Sequence, residues 1–480
     1  MAGQKQLATL EAALDGDVVV PEATAYVEVR KSPWAQYAHV RPLAVARCRT
    51  PADVAEAVAF ARRGRLPLAI RSGGHCFAGR STTRGLVIDL SAIASVTGSG
   101  DVARVGAGAL LGDIDDTLVS QERALVAGAC PSVGVAGLTL GGGLGIIGRS
   151  FGLTCDTLLE AEVVLADGRV VTCDEERHED LFWALRGAGA GSFGVVTGFT
   201  FRTVAARRLT CFQLAWPAAH AAEIIDAWQR FAPAAPDELA ASLILNASAA
   251  ADEPARVSLF GAMRGGPSET RELLDEFMAR TGADPETLML HELPYREAKR
   301  YLAEHAPGVD GDVTASDVSM PPFVYAKSDF FRQLLPEATI RALVGQFLAG
   351  RRAGQGRELD FTPWGGAYNR LDPSATAFPH RHELFLLKHA VVLPADAADA
   401  DRDSGRRWLN GSWELLRASA AGGVFPNFPD TDLTDSARAY HGANDERVGS
   451  IKARYDPDDI FRARSSLGQA SLQQTHDGER

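Results

Sequence analysis

Apolar positions along the chain switch between two spacings, and each switch outlines an element. Thr50-Pro-Ala-Asp53 opens a helix: Thr stands as cap, Pro takes the first helical position, and Asp three residues after the cap completes a reciprocal pair. Val54, Ala57, Val58 and Ala61 then recur at helical spacing. Short apolar runs predict strands at Leu68–Arg71, Leu86–Asp89 and Val102–Val105, and a helix follows from Gly112 to Glu122 with Ile114 and Leu118 inward. Glu160–Leu165 and Arg169–Cys173 flank Ala166-Asp-Gly168, and Asp-Gly accepts the positive φ of a tight hairpin turn. Glu179–Arg186 reads as helix and Val195–Phe201 as strand. From about Arg207 the strands lengthen, with Leu239–Ala247 and Val257–Met263 set between amphipathic helices near Ala218–Phe231 and Ser268–Ala279. Strand Glu383–Leu393, helix Arg402–Ala418 and a polar helix from Asp435 to about Tyr455 complete an α+β pattern.

Composition narrows the class without naming it. The 480 residues, 46 % of them hydrophobic, can fill two or three ordinary domains. A net charge of −12 argues against a nucleic-acid partner, because the phosphate backbone selects basic surfaces. Six cysteines without a CxxC pair point to a reduced compartment and suggest no metal site. The first residues lack the apolar run of a secretory signal, and no window reaches transmembrane length. The expectation is a cytoplasmic protein with no membrane partner.

Chemistry enters with glycine. Gly128–Gly152 carries nine glycines and one cysteine, Cys130, in 25 residues. Glycine loses more chain entropy on folding than any other residue, so such a stretch suits backbone that must come close to a ligand. Arg71-Ser-Gly-Gly-His-Cys-Phe-Ala-Gly79 is a second sparse loop, with His75 just past a strand end, and Gly187–Gly194 a third. Gly143-Leu-Gly-Ile-Ile-Gly148 fits the dinucleotide spacing GxGxxG, but glycines stand where its leading strand belongs. No GKS or GKT follows, which excludes a phosphate-binding P-loop. Alone, His75 reads as a turn histidine and Cys130 as a small buried hydrophobe. Together, each in a glycine loop, they read as two nucleophiles able to attack an electron-poor carbon.

Arg71-Ser-Gly-Gly-His75, Cys130-Pro-Ser-Val-Gly-Val, Gly141-Gly-Gly-Leu-Gly145, Gly191-Ser-Phe-Gly-Val-Val-Thr197 and Tyr455-Asp-Pro-Asp-Asp-Ile-Phe461 occur in that order. In these motifs the chain, from about residue 40 to 468, resembles the berberine bridge enzyme-like branch of the vanillyl-alcohol oxidase flavoproteins. The resemblance implies FAD attached twice, by His75 to the 8α-methyl carbon and by Cys130 to C6 of the isoalloxazine. It implies further cofactor contacts from Arg71, Ser72, Gly73, Gly74 and Gly79, from Val133, Gly134, Gly137, Gly141, Gly142 and Gly145, and from Asp156, Gly194, Val195, Val196, Asn427 and Phe428. It also implies an FAD-binding domain over residues 1–206, a substrate domain with an antiparallel sheet backed by helices over 207–425, and a return to the first domain over 426–468. Residues 469–480 read as a disordered tail.

The activity implied is proton removal from a small-molecule substrate with hydride transfer to flavin N5, then reoxidation by O2 to hydrogen peroxide. Val133 holds the position where valine in the family permits oxygen access. One departure stands out. Where family members carry a tyrosine or glutamate base two residues before the Asn427-Phe428 motif, this chain has Phe425, which has no proton to exchange. Asp360, Tyr368 and His389, expected on substrate-domain strands, are the alternative bases. The leading expectation is an oxidase of an alcohol or hemiacetal carbon in a sugar, glycosylated or polyketide-type substrate. The alternatives are oxidation of a benzylic or alkaloid C–N or C–H centre, or a flavin-holding protein without redox activity.

Overall fold

The computed structural model describes residues 2–189, 191–306 and 321–462. A four-stranded sheet comes first, with β1 (Asp17–Val19), β2 (Ala44–Arg47), β3 (Leu68–Arg71) and β4 (Leu86–Asp89) in the order β1-β2-β4-β3. β2, β4 and β3 run parallel, and β1 joins the edge antiparallel. Parallel strands need a crossover, which the helix Pro51–Gly64 supplies between β2 and β3. Its start is the one expected: Thr50 Oγ1 accepts from the Asp53 amide at 3.2 Å, and Asp53 Oδ2 accepts from the Thr50 amide at 3.3 Å. A cap of this kind contributes about 1 kcal/mol.

A five-stranded antiparallel sheet follows. It is built from β5 (Val96–Ser99), β6 (Val102–Gly106) and, past the two-residue β7 (Arg123–Ala124), from β8 (Leu158–Val164), β9 (Val170–Cys173) and β10 (Val195–Arg202). The β8–β9 hairpin turns at Asp167-Gly168, with Gly168 at φ 88°. β7 pairs separately with β11 (Val204–Ala205). Both larger sheets and the helix Pro51–Gly64 contribute to one hydrophobic core.

The rest of the chain builds around a seven-stranded antiparallel sheet, ordered β15-β12-β14-β13-β17-β18-β16. Its strands are β12 (Leu209–Pro217), β13 (Leu239–Ala247), β14 (Arg256–Met263), β15 (Thr287–Leu293), β16 (Phe323–Phe331), β17 (Gly356–Pro363) and β18 (Phe385–Leu393). Helices Ala221–Phe231, Pro267–Thr281, Glu337–Leu348 and Asp399–Leu416 cover one face in a second core. Strand side chains alternate between faces, so sending Leu359 and Phe361 to that core turns Glu358, Asp360 and Thr362 of β17 the other way, toward a cavity. The chain then comes back to the first core, where Val448, Ile451, Tyr455 and Phe461 are buried. Asp180 ties the return down, accepting from Arg454 at 2.7 Å and Tyr455 at 2.8 Å.

The α+β expectation holds, with two local differences. The polar helix expected from Asp435 to Tyr455 is two helices, Ser436–His441 and Asp445–Tyr455. Gly442 at φ 52° breaks it, and the Asn444 amide beside it donates to the carbonyls of Pro373 and Thr376 at 2.8 and 3.1 Å. Tyr368 lies on a 3₁₀ turn, Gly366–Asn369, rather than on a strand. The tail expected over residues 469–480 lies outside the described residues. Among the described residues no helix is long and apolar enough to cross a membrane.

Candidate functional site

A cavity of about 2740 Å³ lies between the glycine-rich loops and the other face of the seven-stranded sheet, part of which is covered by helix Tyr295–His305. Its loop wall is rich in glycine. Ser72, Gly73, Gly74, His75 and Gly79 line it from the loop after β3, and Cys130, Val133, Gly134, Gly137, Gly141 and Gly145 from the long glycine stretch. Gly73 and Gly134 touch back to back, and a Cβ on either would overlap the other's backbone. That contact brings His75 and Cys130, far apart in sequence, to one cavity. A Cβ at Gly137 would meet nothing within 4 Å, so this glycine keeps the wall bare.

Both reactive side chains are half-buried. The Trp34 ring stands edge-on to His75 at 6.3 Å, and Ser132 Oγ lies 3.4 Å from Cys130 Sγ. Asn427, from the C-terminal return, braces the glycine stretch: its carbonyl accepts from the Gly143 amide at 3.2 Å and its amide donates to the Gly137 carbonyl at 2.8 Å. Asn427, Phe428, Gly194 and Val196 line the cavity as well.

Four residues expected at the cofactor are not among those lining the cavity. Arg71 ends β3 with its side chain turned inward, paired at 2.5 Å with Asp89, its register partner on β4. Val195 is fully buried in the first core, because strand alternation gives the cavity to Val196. Gly142 packs toward Phe378. Asp156 spends both carboxylate oxygens on Arg381, at 2.7 and 2.8 Å, and also accepts from the Leu153 amide.

The sheet wall is rich in side chains. Ser242, Glu358, Asp360 and Thr362 line it. Lys388 of β18 is enclosed beside them, its Nζ 3.1 Å from Glu358 and 3.5 Å from Asp360, and 5.1 Å above the Phe428 ring. Of the three alternative bases, the structure brings two to the cavity. Asp360 faces it. Tyr368 lines it too, but its hydroxyl donates to the Gly145 carbonyl at 3.2 Å and burial pushes its pKa up. His389 sits on the opposite face of β18, fully buried, 2.9 Å from Ser412 Oγ. Burial, helped by the positive charge of Lys327, pushes its pKa down to about 3. Phe425 belongs to an aromatic cluster with Phe330, Trp364, Phe378 and Phe428, 1 % exposed.

Glu358 and Lys388 are site residues that no sequence motif marks. A signal for Glu358 is nevertheless present in Arg357-Glu-Leu-Asp-Phe361, where two acids two residues apart alternate with Leu and Phe and so share the polar face of a strand.

A family model described as FAD binding domain matches residues 42–174, and one described as berberine and berberine like matches residues 424–468. The chain is 31 % identical over 427 residues to the uncharacterized FAD-linked oxidoreductase YgaK of Bacillus subtilis, covering 88 % of this chain and 90 % of that one. It is 29 % identical to a chitooligosaccharide oxidase of Gibberella zeae, covering 89 % of this chain and 87 % of that protein. A solved chitooligosaccharide oxidase superposes with a TM-score of 0.84 at 26 % identity, over 98 % of this chain and 100 % of the other. The berberine bridge enzyme-like 1 protein of Physcomitrella patens superposes with a TM-score of 0.85 at 26 % identity, over 95 % and 97 % of the two chains.

Proposed function

We propose that this chain, which belongs to the berberine bridge enzyme-like family of FAD-linked oxidases, holds its FAD by two covalent bonds, from His75 and Cys130. It then oxidises an alcohol or hemiacetal carbon of a small, hydroxyl-rich substrate with O2 as acceptor. The observation that carries this reading is that an imidazole and a thiol reach one cavity from two separate glycine loops. The residues fit the cofactor. The cavity of about 2740 Å³ exceeds the roughly 300–1,000 Å³ of an ordinary small-ligand pocket, and its loop wall is rich in glycine, of the kind that admits a large flat group. FAD held by His75 and Cys130 would supply a two-electron acceptor for a hydride from the substrate carbon, with O2 as the final acceptor and hydrogen peroxide as its product. Val133, on the loop wall, is assigned to oxygen access.

Asp360 is assigned the proton. Its carboxylate accepts the hydrogen of the substrate hydroxyl while the carbon gives up its hydride, which Tyr368, a donor to Gly145, and His389, on the far face, are not placed to do. Ser242, Thr362 and Glu358 offer the hydrogen-bonding wall that a hydroxyl-rich substrate needs. The near full-length likeness to a protein named chitooligosaccharide oxidase supports the same substrate class.

Acid precipitation tests the attachment. A yellow pellet is expected from the wild type and from His75→Ala and Cys130→Ala singly, and a colourless one from the double variant. A single variant that releases all its flavin overturns the two-bond reading. Oligosaccharides and simple alcohols, mixed with the protein under anaerobic conditions, test the chemistry by bleaching of the flavin, with peroxide appearing on admission of air. If no substrate class bleaches it, the protein is a flavin-holding binder instead.

A further inference from the structure

We propose that Lys388 is a positioning residue that holds Asp360 ionised and fixed in the cavity wall, and that Glu358 tunes how strongly it does so. This rests on the reading of Asp360 as proton acceptor. Lys388 and Glu358 side chains are 2 % and 3 % exposed, and Asp360 14 %. Enclosed charges cost desolvation energy that apolar residues of similar size avoid, so the pair is weak evidence for stability and asks for another use. The register supplies one. Asp360 stands directly opposite Lys388 between β17 and β18, while Glu358 is one step along the same face. Phe428 closes the cation from the other side.

Among the described residues Lys388 therefore reaches two carboxylates, of which Asp360 is the more open to the cavity. Among the described residues Asp360 meets Lys388 of β18 at 3.5 Å and Thr362 Oγ1 of its own strand at 3.5 Å, Glu358 shares its strand face, and Ser242 of β13 and Tyr368 of the 3₁₀ turn line the same cavity. The Arg149 guanidinium, which also lines the cavity, is bonded to the carbonyls of Trp364 and Ala235. Among the described residues, the cation beside Asp360 is thus Lys388 and the like charge on its own strand face is Glu358. An ammonium this close lowers a carboxylate's pKa, and a second carboxylate raises it.

The test is the pH profile of anaerobic flavin bleaching by a substrate found in the screen above, with flavin absorbance and melting temperature measured on the same protein. Lys388→Met is expected to move the acidic midpoint up by about 1 to 3 pH units. Lys388→Arg is expected to keep the midpoint near wild type, and Glu358→Gln to move it down. A purely structural Lys388 predicts lower melting temperatures with unmoved midpoints, and that result overturns the proposal, as does an upward shift in Glu358→Gln. Should Lys388→Met not fold, Lys388→Arg and Glu358→Gln decide the same question. Asp360→Asn distinguishes a failure of the base assignment from a failure of the positioning role. Undiminished bleaching there overturns the base assignment and this proposal with it, whereas lost bleaching with an unmoved Lys388 profile overturns the proposal alone.

Discussion

The two walls of the cavity are built on opposite plans. On the loop side, glycine backbone comes to the surface: Gly73 and Gly134 press together, Gly137 faces open space, and His75 and Cys130 line the cavity among residues such as Cys76, Phe77 and Leu144. On the sheet side the backbone is consumed by strand pairing, and Ser242, Glu358, Asp360, Thr362 and the enclosed Lys388 supply the chemistry. A wall of glycine backbone suits a large constant partner, because its shape depends little on side-chain choice. A wall of alternating strand residues can be changed one position at a time without disturbing the sheet. On the proposed reading, cofactor and substrate are divided between the walls in that sense.

The sharpest way to break this division is Asp360→Asn. If the sheet wall carries the proton, bleaching is expected to fall by about a hundred- to ten-thousand-fold, the usual worth of a general base. Flavin content is expected to stay at the wild-type level, since Asp360 lies on the other wall. An Asp360→Asn protein that retains little flavin but bleaches at the wild-type rate per flavin still bound would reverse the assignment of the walls.

The second test concerns Asp156, which lies beside the glycine stretch but is not among the residues lining the cavity. Asp156→Asn is expected to destabilise the fold by about 3–5 kcal/mol, the typical result of leaving one partner of a buried ion pair uncompensated. Arg381, whose side chain is fully buried, would then keep only neutral acceptors such as Thr376 Oγ1. Chemical denaturation reads the loss. Flavin absorbance and bleaching rate, corrected for the folded fraction, are expected to remain unchanged, and a specific loss of flavin would return Asp156 to the cofactor.

The same contrast explains what could be read in the sequence. The capped helix after Thr50, the Asp-Gly hairpin and strand Leu239–Ala247 follow local rules, and the structure has them at or within a few residues of the expected bounds. Loop-wall residues stood out because glycine clusters are conspicuous. Arg71, Gly142, Asp156 and Val195, which the resemblance places at the cofactor, are not among the residues that line the cavity. Strand alternation turned Arg71 and Val195 inward, Gly142 packs toward Phe378, and a partner distant in sequence, Arg381, claimed Asp156. The sheet wall was harder to read. Charges inside Phe-Val-Tyr-Ala-Lys-Ser-Asp-Phe-Phe331 blur its period, because β16 is buried on both faces and its Lys327 and Asp329 find partners from other elements, Asp430 and Arg417. Which of two neighbours, Lys388 or His389, faces a cavity depends on a register that only the folded sheet sets.

Those neighbours give the smallest effect. His389, on the helix-covered face, hydrogen-bonds Ser412 and contributes nothing to the cavity, so His389→Leu is expected to cost about 1–3 kcal/mol at pH 7, through the hydroxyl left without its partner, and to leave bleaching unchanged. Its dependence on pH is the more telling measurement. Burial holds the folded imidazole neutral down to about pH 3, whereas in the unfolded chain it takes a proton near pH 6.5. Between those values the unfolded state binds more protons, so the contribution of His389 to stability is complete above about pH 6.5 and is lost as pH falls toward 3, by at most about 1.4 kcal/mol per pH unit. Unfolding curves of wild type and His389→Leu are therefore expected to converge, then cross, as the pH is lowered from 7 to 4. A difference that stays constant would mean that the imidazole is protonated in the folded protein as readily as in the unfolded one, and that the helix-covered face of β18 is not the sealed side on which the contrast between the two walls depends.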